Sequence, residues 1–168
     1  MKKEKRWRYA LWIAVLMILG LTFFFSSQDG TNSGKMSGTI TETVIKIIRP
    51  DYDTLPESEQ QALFDTVHFF VRKTAHFSEY AFLGFMIRLL CETYALRCSS
   101  FIAWLCGTGY AATDELHQWF VAARAAMWQD VCIDSAGALA GVLLAAGIVI
   151  LTKRLHRKQK RRETIAAD

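Results

Sequence analysis

Two long stretches with almost no charge dominate this sequence. Residues 9–25 form a run of 17 residues without a charged side chain, and residues 131–152 are interrupted only by Asp134. A helix needs about 20 mostly apolar residues to cross the hydrocarbon core of a bilayer, and both stretches are close to that length. The chain of 168 residues is also 52% hydrophobic, which favours one membrane domain. We therefore predict a membrane-spanning helix in each stretch.

Two weaker apolar segments lie between these helices and carry ionisable residues. Such side chains are costly in lipid and usually face the interior of a helical bundle. Backbone groups in the bilayer must also be satisfied internally, which favours helices. The predicted fold is all-α, a polytopic four-helix transmembrane bundle with spans at about residues 9–25, 75–96, 100–120 and 130–152.

Basic residues at both ends of the chain indicate its orientation. Five of the first eight residues are Lys or Arg, and residues 153–162 contain seven more. Because Lys and Arg accumulate on the cytoplasmic side, we predict a multi-pass membrane protein with residues 1–8 and 153–168 in the cytoplasm. Beside a span, such a tail is better explained by retention and attraction to anionic lipid than by nucleic-acid binding, so no nucleic-acid partner is expected. The oligomeric state is not predicted.

The segment between the first two spans is expected outside the membrane. Residues 26–38 are rich in Ser and Gly and predict a loop. An amphipathic helix follows, with apolar residues at 40, 44, 47 and 48. From Pro56 no Gly or Pro occurs before Gly84, so a second helix is predicted to run directly into span two and to project or bend near Lys73. The outer helical segment covers residues 37–73.

Polar residues on spans two, three and four are predicted to converge at one depth. Residues three and four apart share a helix face, and the assigned directions of the spans bring the polar faces together in the outer leaflet. The residues concerned are Lys73, His76, Glu79, Tyr80, Asp114, Glu115, His117, Gln118, Asp130 and Asp134.

Small residues occur at helical spacing below this polar layer. Gly137 and Gly141 form a GxxxG motif, and Gly107 with Ala111 forms a second small pair. Such motifs let helix backbones approach closely, so we predict close packing between spans three and four.

Four short motifs carry a resemblance to the VanZ-like family of bacterial membrane proteins. They are "FFFSSQDGTNS", "VRKTAHFSEYAFLG", "TDELHQWFVAAR" and "DVCIDSAGALAG", and together they extend over nearly all of residues 20–142. The resemblance implies a small polytopic cell-envelope protein of a family named for a member associated with teicoplanin resistance. It also implies roles for Ser27, Gln28, Lys73, His76, Glu79, Tyr80, Asp114, Glu115, Gln118, Arg124, Asp130, Asp134, Gly137 and Gly141. Ala122 and Ala123 depart from the Pro-Gly that often precedes the Arg in this family.

A binding function is the first hypothesis for these residues. An outward-facing polar pocket would bind a lipid head group or a peptidoglycan-precursor-like ligand and thereby affect glycopeptide susceptibility. Lys73 and Arg124 would contact an anion, and Tyr80 or Trp119 would form an apolar wall. The candidate ligand-binding residues are Ser27, Gln28, Lys73, Tyr80, His117, Gln118, Arg124, Asp130 and Asp134.

A membrane-embedded enzyme acting on a lipid-linked envelope substrate is the alternative. His76, Glu79, Asp114 and Glu115 would then be the catalytic acids and bases. Two His with carboxylates can hold a divalent metal, but "DELHQ" lacks the HExxH spacing of zinc sites, so a metal cofactor is not favoured. A third alternative is a purely structural network of buried ion pairs that orients the helices.

Overall fold

The structure, a computed structural model, describes the backbone of residues 2–27, 30–121 and 127–167, and the side chains of residues 5–27, 37–121 and 127–165. All regular structure in these residues is helical, which confirms the predicted all-α fold class. The elements are α1 (Lys2–Ser26), α2 (Gly30–Ile48), a short 3₁₀ helix (Tyr52–Thr54), α3 (Glu57–Thr93), α4 (Ser99–Gln118) and α5 (Trp128–Ala167).

Two helices in the described part of the chain are long and apolar enough, by length and composition, to cross a membrane. They are Lys5–Ser26 in α1 and Trp128–Ile165 in α5, and they contain the two stretches predicted first. α3 and α4 do not meet this criterion, because both carry ionisable side chains. The four-span bundle therefore stays a prediction at this point.

Helix α3 lies at the centre of the fold and packs against each of the other four helices. One face of α1, formed by Leu11, Val15 and Ile18, is buried against a core that includes Tyr80 and Leu83 of α3. Many Leu, Ile and Phe side chains on the outer surfaces of α1 and α5 are exposed. The bundle is thus apolar outside as well as inside, which is the arrangement that a lipid environment stabilises.

Glycines bring α5 into direct backbone contact with α3. A Cβ added to Gly141 would lie 1.7 Å from the carbonyl oxygen of Ala81, and one on Gly137 would lie 2.3 Å from that of Phe77. Gly84 makes the reciprocal contact, since its added Cβ would lie 2.3 Å from a carbonyl oxygen of α5. The GxxxG motif therefore serves the pair α3 and α5.

This pairing corrects the prediction that GxxxG joins spans three and four. α4 does approach α5 closely, but through Gly107, whose added Cβ would lie 2.9 Å from the Cβ of Ala138. The motif shows that one face of α5 consists of small residues, but it does not show which helix packs against that face. α3 takes that face because it also carries a small residue there, Ala81.

Helix α2 differs from its prediction in two ways. It begins at Gly30, so most of the predicted loop is helical. Its buried face consists of Gly38, Thr41 and Ile45, whereas Ile40, Ile47 and Ile48 of the predicted apolar face are exposed. Gly38 faces the Phe64 ring of α3, where an added Cβ would lie in ordinary contact at 3.7 Å. Ile45 is buried on the same face, so the helix is rotated relative to the predicted apolar face while it still buries one isoleucine.

Helix α3 is uninterrupted at Lys73, and whether its N-terminal part projects from a membrane stays a prediction. Its 37 residues correspond to about 55 Å at 1.5 Å per residue. The outer part of α3 pairs with α2, because Ser37 contacts His68 at 2.7 Å and the Tyr52 hydroxyl donates to the Gln60 carbonyl at 3.4 Å. From the first contact to the second, the residue number rises from 37 to 52 on one side and falls from 68 to 60 on the other, so the two segments are antiparallel. Residues 30–73 form an antiparallel unit that we call the outer hairpin.

We predict that α2 docks less firmly on α3 at acidic pH. Burial, together with the positive charge of Arg72, lowers the pKa of His68 below its usual 6.5, while Asp65 opposes the shift. Because the folded pKa is depressed, the stabilisation is complete above pH 6.5 and is lost as the pH falls through and below 6.5. Hydrogen exchange of the α2 amides, corrected for intrinsic rates, should show reduced protection at pH 5.5 relative to pH 7.5.

His68→Gln is the matched control for this effect, because Gln keeps a hydrogen-bonding side chain and does not titrate in this range. Protection of α2 in this variant should be the same at both pH values. An equal loss of protection in His68→Gln would show that another group controls the docking.

Candidate functional site

Polar side chains of four helices meet at one end of the bundle, which we call the polar end. Contacts between helices establish the convergence: Thr22 of α1 donates a hydrogen bond to Glu79 of α3 at 2.6 Å, and Lys73 of α3 pairs with Asp130 of α5. The polar end comprises Thr22, Ser26, Ser27, Lys73, His76, Glu79, Tyr80, Asp114, Glu115, His117, Gln118, Asp130 and Asp134. These include all the site residues predicted from the sequence that the structure describes.

Ser27 and His117 connect the end of α1 to the end of α4. The Ser27 Oγ lies 3.1 Å from the His117 Nε2, and the Phe23 ring stacks on the imidazole with centroids 4.7 Å apart. The Ser27 hydroxyl also donates to the Phe23 carbonyl at 2.7 Å. Its single proton is therefore used in that bond, so His117 acts as the donor to Ser27. This geometry does not make Ser27 a nucleophile activated by His117.

A second connection between α1 and α4 is buried. The Gln118 amide donates to the Asp114 Oδ2 at 3.1 Å and lies 3.5 Å from the Ser26 Oγ. Asp114, Gln118 and Ser26 are all buried. The amide therefore occupies one carboxylate oxygen of Asp114 and leaves the other oxygen, Oδ1, facing the core.

The sequence analysis missed Thr22 and Ser26. Both are only 2% exposed. They continue the buried face of α1 begun by Leu11, Val15 and Ile18, with spacings of three or four residues throughout. Polar residues that extend an apolar helical stripe are the signal that would have revealed them.

The start of α5 is held by two acidic contacts. Lys73 pairs with Asp130 across the helices, and their side chains are only 18% and 22% exposed. Glu115 accepts a hydrogen bond from the backbone N–H of Met127, directly before α5 begins. A carboxylate in that position satisfies a free helix N–H and is favoured by the helix dipole. Glu115, a predicted catalytic residue, thus has a capping contact.

We predict that Lys73 and Asp130 stabilise the fold as a coupled pair. Either Lys73→Met or Asp130→Asn should lower the free energy of unfolding by about 1–2 kcal/mol, because each leaves a partly buried polar group without its partner. The double variant should be more stable than the sum of the single losses implies, with a coupling of about 1 kcal/mol. Unfolding of the four purified proteins measures this cycle, and strictly additive losses would contradict the pairing.

Three buried oxygens at the centre of the polar end have no hydrogen-bond partner among the described residues. They are the Tyr80 hydroxyl, the Asp114 Oδ1 and the Asp134 Oδ1. Tyr80 is fully buried, and Asp114 and Asp134 are 4% and 2% exposed. Tyr80 interacts electrostatically with both aspartates. Unsatisfied buried oxygens are costly and rare in native proteins, so this group requires an explanation.

The remaining predicted site residues are placed as follows. His76 is half-buried on α3, one turn from Lys73 and Tyr80. Gln28 and Arg124, together with Ala122 and Ala123, lie outside the described residues. Within the part of the chain that the structure describes, no three His, Cys, Asp or Glu side chains form a group that could hold a metal ion.

A different set of contacts joins the helices at the opposite end of the bundle. Arg88 and Glu92 pair at 2.9 Å, and Lys153 of α5 also contacts Glu92. Arg8 of α1 donates to the Thr93 carbonyl at 2.6 Å. The Arg8 Nε is buried here without a hydrogen-bond partner among the described residues, so this end is also incompletely satisfied, but its contacts centre on the carboxylate of Glu92.

A family model described as VanZ/LLP1 matches residues 11–151. The match extends from α1 into α5 and includes the whole polar end. Comparison with curated proteins and with solved structures finds no match.

Proposed function

This chain belongs to the VanZ/LLP1 family, and we propose that it is a cell-envelope membrane protein whose polar end binds a lipid head group or a peptidoglycan-precursor-like ligand from outside. The observation that carries this proposal is the group of three buried oxygens on Tyr80, Asp114 and Asp134, which have no hydrogen-bond partner within the described part of the chain. A ligand donor would satisfy them. Ionisable groups inside membrane bundles commonly mark binding or transport sites, because burying them is costly without a partner.

The proposal includes four spans, formed by α1, the inner part of α3, α4 and the first part of α5. Exposed aromatic side chains support it. Trp7, Tyr9, Trp12 and Tyr94 lie near one end of the bundle, and Trp119, Phe120 and Trp128 lie near the other. Such aromatic belts form at membrane interfaces. α4 lies between the two belts, and its 20 residues correspond to about 30 Å, the thickness of the hydrocarbon core.

The orientation of the proposal follows the basic ends of the chain. The N-terminal residues and the long basic end of α5 would be cytoplasmic under the positive-inside rule. The protein would thus be multi-pass in the bacterial cytoplasmic membrane, with the polar end at the outer face. The outer hairpin would project from the same face and stand beside the entrance to the site.

Binding is tested with the purified full-length protein in detergent. Addition of lipid extracts or lipid-linked peptidoglycan precursor should raise the unfolding temperature of the wild type in a saturable way. Glu79→Gln should abolish most of this rise, because Glu79 is a half-buried carboxylate of the polar end. Glu59→Gln is the matched control, since Glu59 is exposed on the outer hairpin. Equal responses of both variants would contradict the proposed site.

The same preparation separates binding from catalysis. In the enzymatic alternative, His76, Glu79, Asp114 and Glu115 would exchange protons with a lipid-linked substrate. Incubation with labelled precursor should return it unchanged if the protein only binds. Turnover by the wild type that Glu79→Gln abolishes would replace the binding proposal with an enzymatic one.

An effect on teicoplanin follows if the bound ligand contributes to the surface target of the antibiotic. Cells that express the wild type should then be less susceptible to teicoplanin than cells that express equal amounts of Glu79→Gln. Equal susceptibility would remove the antibiotic effect from the proposal and leave ligand binding untouched.

A further inference from the structure

The oxygens without partners define the chemistry that a ligand must supply. The three atoms come from three helices: Tyr80 from α3, Asp114 from α4 and Asp134 from α5. The Tyr80 hydroxyl is uncharged, and its burial without a partner is an observation separate from the acidity of the aspartates. The aspartate oxygens accept hydrogen bonds and the Tyr80 hydroxyl can donate or accept, so a group that donates hydrogen bonds would use an acceptor on all three atoms that has no partner among the described residues.

We propose that these three oxygens receive a primary ammonium group of the ligand. The proposal rests on the proposed function, and it names the chemical class of the ligand at that site. Two sources carry such a group: an amine-bearing lipid head group and the amine side chain of a peptidoglycan-precursor peptide.

The carboxyl groups around this position favour a hydrogen-bond donor over an anion. Asp114 and Asp134 interact with each other and with Glu79 across the core. Among the described residues of the polar end, Lys73 is the one Lys or Arg, and it is already paired with Asp130. A phosphate at the three oxygens would meet only acceptor oxygens or acids that repel it when ionised, whereas an ammonium donates to these oxygens and compensates any carboxylate among them.

The number of donors also fits. A primary ammonium carries three N–H donors, one for each oxygen, and a quaternary ammonium carries none. Charge and hydrogen bonding can therefore be separated with ligands that differ only at the nitrogen. A trimethylated head group would supply the charge but leave all three oxygens unsatisfied.

A second aspartate on α5 lies between the buried oxygens and the partly exposed start of the helix. Asp130 lies one helical turn before Asp134, towards the start of the helix, and it is half-buried rather than buried. Acidic oxygens therefore continue from the partly exposed position of Asp130 to the buried core. Only the tip of the ligand has to enter, because an ammonium is about the size of a water molecule.

The experiment uses full-length protein in detergent and three phospholipids with identical acyl chains. Phosphatidylethanolamine has a primary ammonium, phosphatidylcholine a quaternary one, and phosphatidylglycerol no amine. We expect phosphatidylethanolamine to raise the unfolding temperature by several degrees more than either of the others. Tyr80→Phe and Asp134→Asn should each weaken its apparent affinity about tenfold, which is about 1.4 kcal/mol. Asp65→Asn, an exposed change on the outer hairpin, should have no effect.

A second arm distinguishes the sources of the amine. A soluble lysine-containing stem peptide is compared with the same peptide acetylated at the lysine side chain. Stabilisation by the free amine alone, with no preference among the lipids, would support the ammonium site and assign it to the peptide. Tyr80→Phe is informative in both arms, because the hydroxyl it removes makes no hydrogen bond that folding requires.

Two results would overturn the inference, and they differ in what they say about the proposed function. Preferential stabilisation by phosphatidylglycerol, lost in Lys73→Met, would replace the ammonium by an anion and leave head-group binding intact. No stabilisation by any lipid or peptide would remove both the ammonium site and the binding function.

Discussion

Gly141→Ala should destabilise the fold strongly, although it adds only one methyl group. The added Cβ would lie 1.7 Å from the Ala81 carbonyl oxygen and 2.9 Å from the Phe85 backbone nitrogen. Both contacts are with the backbone of α3, so no side-chain rotation can relieve them. α3 and α5 would have to separate along their most extensive contact. We expect a loss of at least about 3 kcal/mol in the free energy of unfolding.

Gly147→Ala on the same helix is the matched control. No atom lies within 4 Å of a Cβ added there. Replacing this Gly should stabilise the helix by about 0.5–1 kcal/mol. Denaturant unfolding of both purified variants gives the comparison. Similar stability of Gly141→Ala and Gly147→Ala would show that α3 and α5 are not in backbone contact.

Asp134→Asn should be more stable than the wild type in the absence of ligand and should bind the ligand about tenfold more weakly. Asp134 is buried, its Oδ1 has no partner within the described residues, and it interacts with Asp114, Asp130 and Glu115. An amide of the same shape removes this repulsion and can donate a hydrogen bond to a neighbouring carboxylate. We expect a gain of about 1–3 kcal/mol in the free energy of unfolding.

Asp130→Asn provides the contrast one turn away. Asp130 is paired with Lys73, so its replacement should destabilise the protein. Opposite effects of the two Asp→Asn changes on the free energy of unfolding would show that Asp134 serves binding and that Asp130 serves folding. A loss of stability in Asp134→Asn equal to that in Asp130→Asn would show that both aspartates are structural.

The helical fold could be predicted from the sequence because its signals are local. The apolar runs that became α1 and α5 and the absence of Gly and Pro between Pro56 and Gly84 depend only on neighbouring residues. The partners of the helices depend on distant residues. Nothing in the GxxxG motif specified α3 as its neighbour, and nothing in the isoleucines of α2 showed that the face with Gly38, Thr41 and Ile45 would be the buried one.

The candidate site could be predicted only in part from the sequence, because it too depends on contacts between distant residues. Spacing within α3, α4 and α5 identified Glu79, Asp114 and Asp134 as polar residues on shared faces. The contribution of α1 was missed, because Thr22 and Ser26 become meaningful only when the buried face of α1 is placed against Glu79 and Gln118. The cap that Glu115 provides to α5 is likewise a contact that helical spacing does not indicate.

Residue-specific labelling in intact cells tests most directly the central claim that the polar end faces outward. In a background with the four native cysteines replaced, Gln129→Cys probes the exposed start of α5, and Arg154→Cys probes its basic end. We predict that a membrane-impermeant thiol reagent labels Gln129→Cys in intact cells and labels Arg154→Cys only after permeabilisation. Labelling of Arg154→Cys in intact cells, with Gln129→Cys protected until permeabilisation, would contradict the proposed site.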